Sequence, residues 1–212
     1  LHCSGKVHKR NIEVNPGSVS KKEKPREAHV SFLDRMLKRL LSVGCFPFFL
    51  LLGCASAQTM PVVEHVDLPR FMGPWYVIAN IPTFIEKGAH NAVETYSLES
   101  DGTIQTVFTF RDGSFEGPEK KYNPTGTVVN KQTNSEWRMQ FLWPFKSEFL
   151  ISYLTPDYSQ TVIARTARDY VWIMARTPSI PEKDYQAILE FLSKNGYDIR
   201  LIQRVPQQAV AK

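Results

Sequence analysis

Few residues in this chain are equipped for covalent or metal chemistry, and their spacing narrows the field further. The three cysteines, Cys3, Cys45 and Cys54, all fall in the first 54 of the 212 residues. Beyond them there is no thiol nucleophile, no redox Cys-x-x-Cys and no disulfide scaffold. Two histidines follow Cys54, His65 and His90, and neither has a partner at zinc-ligand spacing. No Gly-x-Ser-x-Gly elbow, P-loop or dinucleotide fingerprint is present. Carboxylates such as Glu94 could face inward, because Tyr96 and Leu98 share its parity in an alternating segment. A solvated or Arg-paired acid is the expectation for it rather than a catalytic one. The sequence therefore argues against an enzyme, with no catalytic residue, metal ligand or cofactor site to name.

Charge divides the chain in two. Residues 1 to 53 carry ten Lys or Arg against four Asp or Glu, while residues 54 to 212 carry sixteen against seventeen. The body is thus close to neutral, and no basic groove for nucleic acid is expected in it. Residues 1–35 begin without Met and lack a sustained apolar period, which reads as a disordered or non-native extension. Residues 36–53 read as a signal peptide: Met36, a basic Leu37-Lys38-Arg39, then the apolar run Leu40 to Leu52. That run falls short of the roughly twenty residues a membrane-spanning helix needs. It ends Leu51-Leu52-Gly53-Cys54-Ala55-Ser56, which resembles a bacterial lipobox, with Leu52 where a smaller residue is commoner. The resemblance implies a diacylglyceryl group on Cys54, and Ala55 is compatible with sorting to the outer membrane. Two or more acyl chains, such as palmitate, anchor stably. The alternative is cleavage after Ala57 at Ala55-Ser56-Ala57, which would release a soluble periplasmic protein. A body without cysteine suits a bacterial source.

The elements that follow are short and regular. Residues 54–66 read as a tether, and Asp67-Leu68-Pro69 caps a single helical turn. Eight strands are expected at Trp75–Ile81, Ala92–Glu99, Thr103–Arg111, Glu119–Asn130, Glu136–Leu142, Ser147–Thr155, Gln160–Ala167 and Tyr170–Thr177, with the fourth bent near Pro124 and Gly126. Asp101-Gly102 supplies a tight hairpin turn. Eight consecutive strands on short links predict a closed up-and-down antiparallel barrel, which is all-β and can enclose one small ligand. Ser179-Ile180-Pro181-Glu182 reads as a capping box opening a helix over 180–195 that packs outside the barrel, stopped by Asn195-Gly196. Asp198 to Val205 reads as a last strand, and 207–212 as a fraying tail.

With this frame the body, residues 67–206, resembles a lipocalin, specifically a bacterial lipocalin of the outer-membrane lipoprotein type. The motifs that carry the resemblance are Gly73-x-Trp75 at the first strand, Asp157-Tyr158 between the sixth and seventh, and Arg176 at the end of the eighth. Pro156 departs from the family pattern, where Thr is usual, so the hydrogen bond from that hydroxyl is expected to be missing. Strand counting puts all three motifs at one end, where Arg176 would lie on the Trp75 ring, a cation–π contact worth about 0.5–2 kcal/mol. The other end would be a mouth formed by loops 82–90, 111–118, 142–146 and 167–169. Phe84, Ile85, Phe115, Trp143 and Phe145 there are expected either to pack the loops or to meet lipid. Parity directs Val77, Tyr96, Phe108, Phe110, Trp137, Met139, Phe141, Trp172 and Met174 inward, either to fill the barrel or to line a cavity, while the sixth strand is too uniformly apolar to assign. The resemblance implies a cup that binds, stores or transports small hydrophobic ligands, with fatty acids or lysophospholipids the expected ones. A tetrapyrrole carrier and a lipocalin-fold enzyme acting on a lipid are the alternatives. A bacterial outer-membrane location through Cys54 and a homodimer are further implications.

Overall fold

A computed structural model describes residues 59–208. The extension, the signal peptide, Cys54 and residues 209–212 lie outside the described residues. The chain enters through a one-turn helix α1 (Leu68–Phe71) capped by Asp67, whose Oδ1 accepts from the Arg70 N–H. Strands β1 (Gly73–Ile81), β2 (Ala89–Leu98) and β3 (Thr103–Asp112) follow. The expected fourth strand is broken into β4 (Glu119–Tyr122) and β5 (Thr125–Val128). Pro124 has no N–H for a ladder, so pairing lapses there and resumes at Thr125. Strands β6 (Glu136–Leu142), β7 (Phe145–Leu154), β8 (Gln160–Ala164) and β9 (Val171–Ala175) complete the meander. Pairing of β9 back onto β1, from Tyr76↔Ala175 to Ile81↔Val171, closes the barrel, with β4 and β5 together acting as its fourth wall. The 142–146 loop contracts to a two-residue turn at Trp143-Pro144, because β6 and β7 pair as far as Leu142↔Phe145.

Helix α2 (Glu182–Lys194) buries Tyr185, Ile188 and Leu192. These pack with outward-facing Ile78, Val162, Ala164 and Ile173 of the barrel, a second apolar layer outside the first. The expected capping box does not form. Pro181 itself occupies the cap position without a side-chain hydrogen bond, and Glu182 turns instead to the Gln186 amide at 2.7 Å. Asn195 and Gly196 end the helix as expected, Gly196 with φ +86°. The expected last strand is mostly a 3-10 turn, Ile199–Leu201, pulled tight by the Asp198 carboxylate accepting from the Arg200 N–H. Only β10 (Gln203–Arg204) pairs, with β1. Gln207 and Gln208 do not fray. Gln207 Nε2 donates to the Val77 and Ala92 carbonyls, and the Gln208 N–H donates to Asn91 Oδ1. They bridge the gap that opens where β1 and β2 stop pairing above Tyr76↔Val93.

Candidate functional site

The closed end is built around Trp75. Its ring is fully buried, its Nε1 donates to the Phe71 carbonyl at 2.8 Å, and the Arg176 guanidinium lies 3.8 Å above its centroid. The same guanidinium donates to four carbonyls: Pro74 at 2.8 Å through one nitrogen, and Arg70, Phe71 and Met72 at 2.9–3.0 Å through another. Burial lowers the Arg176 pKa. Gly73 lies beside this guanidinium. Its φ is +91°, in the left-handed region that favours glycine, so the backbone turn rather than space for the guanidinium requires this residue. The Tyr158 hydroxyl accepts from the Asp67 N–H at 2.9 Å, and Arg70 lies over the Tyr158 ring. All three motifs thus meet at one end. The hydroxyl lost at Pro156 is replaced from either side: Thr155 Oγ1 accepts from the Ser159 N–H, and Ser159 Oγ donates to Asp157. Hydrogen bonds from Thr155 and then Ser159 hold the exposed Asp157 carboxyl down at about 2.

Above the plug the barrel fills before it opens. Trp137 and Phe149 stack at 5.1 Å with an 8° interplanar angle, and Tyr96 meets both edge-on. Six of the nine inward residues are buried and do not line the cavity: Val77, Tyr96, Trp137, Met139 and Met174 belong to this packed interior, whereas Phe110 packs on Phe108 and Tyr122 toward the mouth. Only Phe108, Phe141 and Trp172 reach a cavity of about 490 Å³ in the mouth half. The division follows from size. The aromatic rings already span the lower bore, and Gly126 lets Ile104 and Met139 close in beside them.

Glu94 faces the cavity as its parity allowed, Phe84, Ile85 and Phe145 come from the expected rim, and the remaining lining was not foreseen: Thr83, Glu86, Tyr122, Leu142, Ser147, Arg165 and Tyr170. The sixth strand, β7, resolves with Ser147 facing the cavity and Phe149 and Ile151 in the inner core. On the rim, Phe84 and Trp143 are 84% and 82% exposed, so they do not pack the loops. Phe115 instead meets His90 edge-on at 5.0 Å.

Two carboxyls face this apolar space. Glu94 is neither solvated nor Arg-paired. It is buried and accepts from the Tyr96 hydroxyl, and burial first, then that bond and the Glu86 charge, leave its pKa pushed up to about 7. Glu86 accepts from the Thr83 N–H at 2.9 Å and from Trp172 Nε1 at 3.1 and 3.2 Å. Burial raises its pKa against the pull of these donors. The Thr83-x-x-Glu86 spacing is the T-x-x-E pattern of a capping turn, the one sequence signal that marked Glu86. Among the described residues, no three His, Cys, Asp or Glu side chains converge as a metal site. His65 and His90 make separate contacts with the Gln132 and Gly88 carbonyls.

A barrel plugged at one end and hollow at the other is a ligand-binding calyx. The chain belongs to the lipocalin family: residues 66–207 match its lipocalin-like domain. It is 31% identical over 162 residues to temperature-induced lipocalin-1 of Arabidopsis thaliana, covering 71% of this chain and 84% of that protein. The expected likeness to bacterial lipocalins of the outer-membrane lipoprotein type is also present. Identity to outer membrane lipoprotein Blc of Escherichia coli K12 is 29% over 157 residues, covering 71% of this chain and 86% of that one. Insecticyanin of the tobacco hornworm Manduca sexta shares the fold, with a TM-score of 0.56 at 13% identity over 73% of this chain and 93% of that chain. Family membership supports binding or transport of small hydrophobic ligands.

Proposed function

We propose that the protein binds, stores or transports single-chain lipids, fatty acids or lysophospholipids, in the bacterial cell envelope. The observation that carries the reading is the cavity itself: about 490 Å³, walled largely by aromatic and aliphatic side chains and continuous with an exposed apolar rim. Removing an acyl chain from water supplies about 25 cal/mol per Å² of apolar area, ample before ordering costs. The likeness to outer-membrane lipoproteins supports an outer-membrane location, held by a diacylglyceryl group on Cys54. A homodimer belongs to the same proposal and is decided by sedimentation.

Native mass spectrometry of the purified protein tests the reading. A co-purifying lipid displaced by added lysophospholipid is the expected result. Ser147→Trp, which fills the mouth half, should abolish uptake while leaving the barrel folded. Failure of the wild-type protein to take up any lipid or apolar probe would sink the proposal. Among the described residues, the Glu94–Tyr96 pair is the place that favours an enzyme. Lipid turnover lost on Glu94→Gln would support that second reading, and a pigment bound in the cup would redirect the first to tetrapyrroles.

A further inference from the structure

Glu86 and Glu94 are out of place in a cup for plain hydrocarbon. They are only 3% and 5% exposed, both line the cavity, and among the described residues neither forms an ion pair. The one cation in the lining, Arg165, is engaged elsewhere: its Nε lies 3.2 Å from Asp169 and its guanidinium sits over the Tyr170 ring. A buried carboxylate without a counter-ion is expensive, and a cation brought in by a ligand removes that cost.

The donor shells show how the pair divides its charge. Glu86 is held by the Thr83 N–H and Trp172 Nε1, which favour its charged form, whereas Glu94 has the Tyr96 hydroxyl alone. The pair's negative charge is therefore better supported at Glu86, while Glu94, its pKa pushed up to about 7, shares a proton near that pH. The walls add a second argument. Phe108, Tyr122 and Trp172 line the same space, and aromatic faces attract desolvated cations as they repel carboxylates. Tyr96, Tyr122 and Tyr170 are the other titratable groups around the pair, besides Arg165, and none brings a positive charge to it.

We propose that the cavity selects single-chain amphiphiles that bear a positively charged nitrogen, an ammonium or quaternary amine seated against Glu86 and Glu94, over those whose head is a carboxylate. The chain follows the aromatic wall toward Phe141, Leu142 and Phe145. This rests on the lipid-binding reading of the same cavity and narrows it. A zwitterionic lysophospholipid meets the requirement through its amine, and a free fatty acid does not.

The test uses the full chain carrying Cys54→Ser, so that no anchor contributes, and three probes of equal chain length: dodecyltrimethylammonium, dodecanoate and uncharged monolauroylglycerol. At pH 8 the ammonium should bind on the order of tenfold more tightly than dodecanoate, a modest charge effect for a site of low dielectric. Glu86→Gln with Glu94→Gln should bring the two together while monolauroylglycerol binding stays within about threefold, because the amides keep the shape and lose the charge. Calorimetry near pH 7 in buffers of different ionisation enthalpy should show proton release on ammonium binding, since the cation lowers the Glu94 pKa. Equal affinity for the two charged probes, a preference that survives the double substitution, or binding without proton release would each overturn the proposal. These failures differ from failure of the underlying reading, in which monolauroylglycerol would not bind either.

Discussion

Replacing Glu94 by Gln should flatten the pH dependence of stability, so that the variant gains on the wild type as pH rises. The unfolded carboxyl titrates near 4.5 and the folded one near 7. Between these values the unfolded chain has lost a proton that the folded chain keeps, so stability falls as pH rises through this window and levels off above it. A difference of this size corresponds to about 3 kcal/mol at 1.36 kcal/mol per unit, an upper bound because Glu86 shares the site. The substituted amide has no proton to lose. It still accepts from the Tyr96 hydroxyl, and its N–H groups add an offset of about 1–3 kcal/mol if they find no acceptor. That offset is independent of pH, so the slope is the diagnostic quantity. Urea unfolding followed by tryptophan fluorescence from pH 4.5 to 8.5 gives both curves. The variant should gain on the wild type by about 2–3 kcal/mol across the range. Parallel curves would refute the argument, since they would mean that Glu94 ionises in the folded protein as it does in the unfolded chain.

At the other end of the barrel, Trp75→Ala removes a fully buried indole, its bond to the Phe71 carbonyl and the platform under Arg176. It should cost about 3–5 kcal/mol in chemical denaturation, with the preference among ligands unchanged. Near-normal stability with altered ligand selectivity would contradict its place in the plug. Gly126→Val tests the packed middle. A Cβ there meets Ile104 Cβ at 3.2 Å and Met139 Cε at 3.4 Å, and the larger side chain should cost about 1–3 kcal/mol by overpacking. A variant as stable as the parent would show that the lower bore has room to spare.

Much of the architecture was legible in the sequence because it depends on period and punctuation. Trp137, Met139 and Phe141 alternate with Glu136, Arg138 and Gln140, and that alternation allows one register relative to the core. Asp101-Gly102 and Asn195-Gly196 stop their elements where positive φ is needed, with Gly102 at +84°. The capping box misled because Ser179 and Glu182 have the right spacing, while Pro181 between them becomes the cap and starts the helix two positions later than the pattern assumes. The last strand misled because Asp198 offers its own backbone a tighter turn than a ladder would. Inward parity said which side of the wall a residue faces and nothing about its height along the barrel. Trp137 and Phe141 share a face four residues apart, yet one is sealed in the core and the other lines the cavity. Glu86 escaped because its place in the lining depends on a loop folding back into the bore, and no period reports that.

The vertical division of the barrel explains how a cavity can coexist with a stable fold. An unfilled space costs the contacts its walls do not make, and this chain offsets that loss elsewhere. Below, Phe71, Trp75, Tyr96, Trp137 and Phe149 form a continuous aromatic block, tied to the entering chain by the five hydrogen bonds that Trp75 and Arg176 make to residues 70–74. Outside, α2 covers the faces of β1, β8 and β9. The mouth half is then free of the requirement to pack, and the chain relaxes there: β1 parts from β2 until β10 and Gln207 fill the seam. Buried acids are tolerable in such a place because the lower barrel already holds the fold. The same acids in the aromatic block would have to be paired or lost. Charge in the cup is therefore tolerated at a cost that the pH dependence at Glu94 reports.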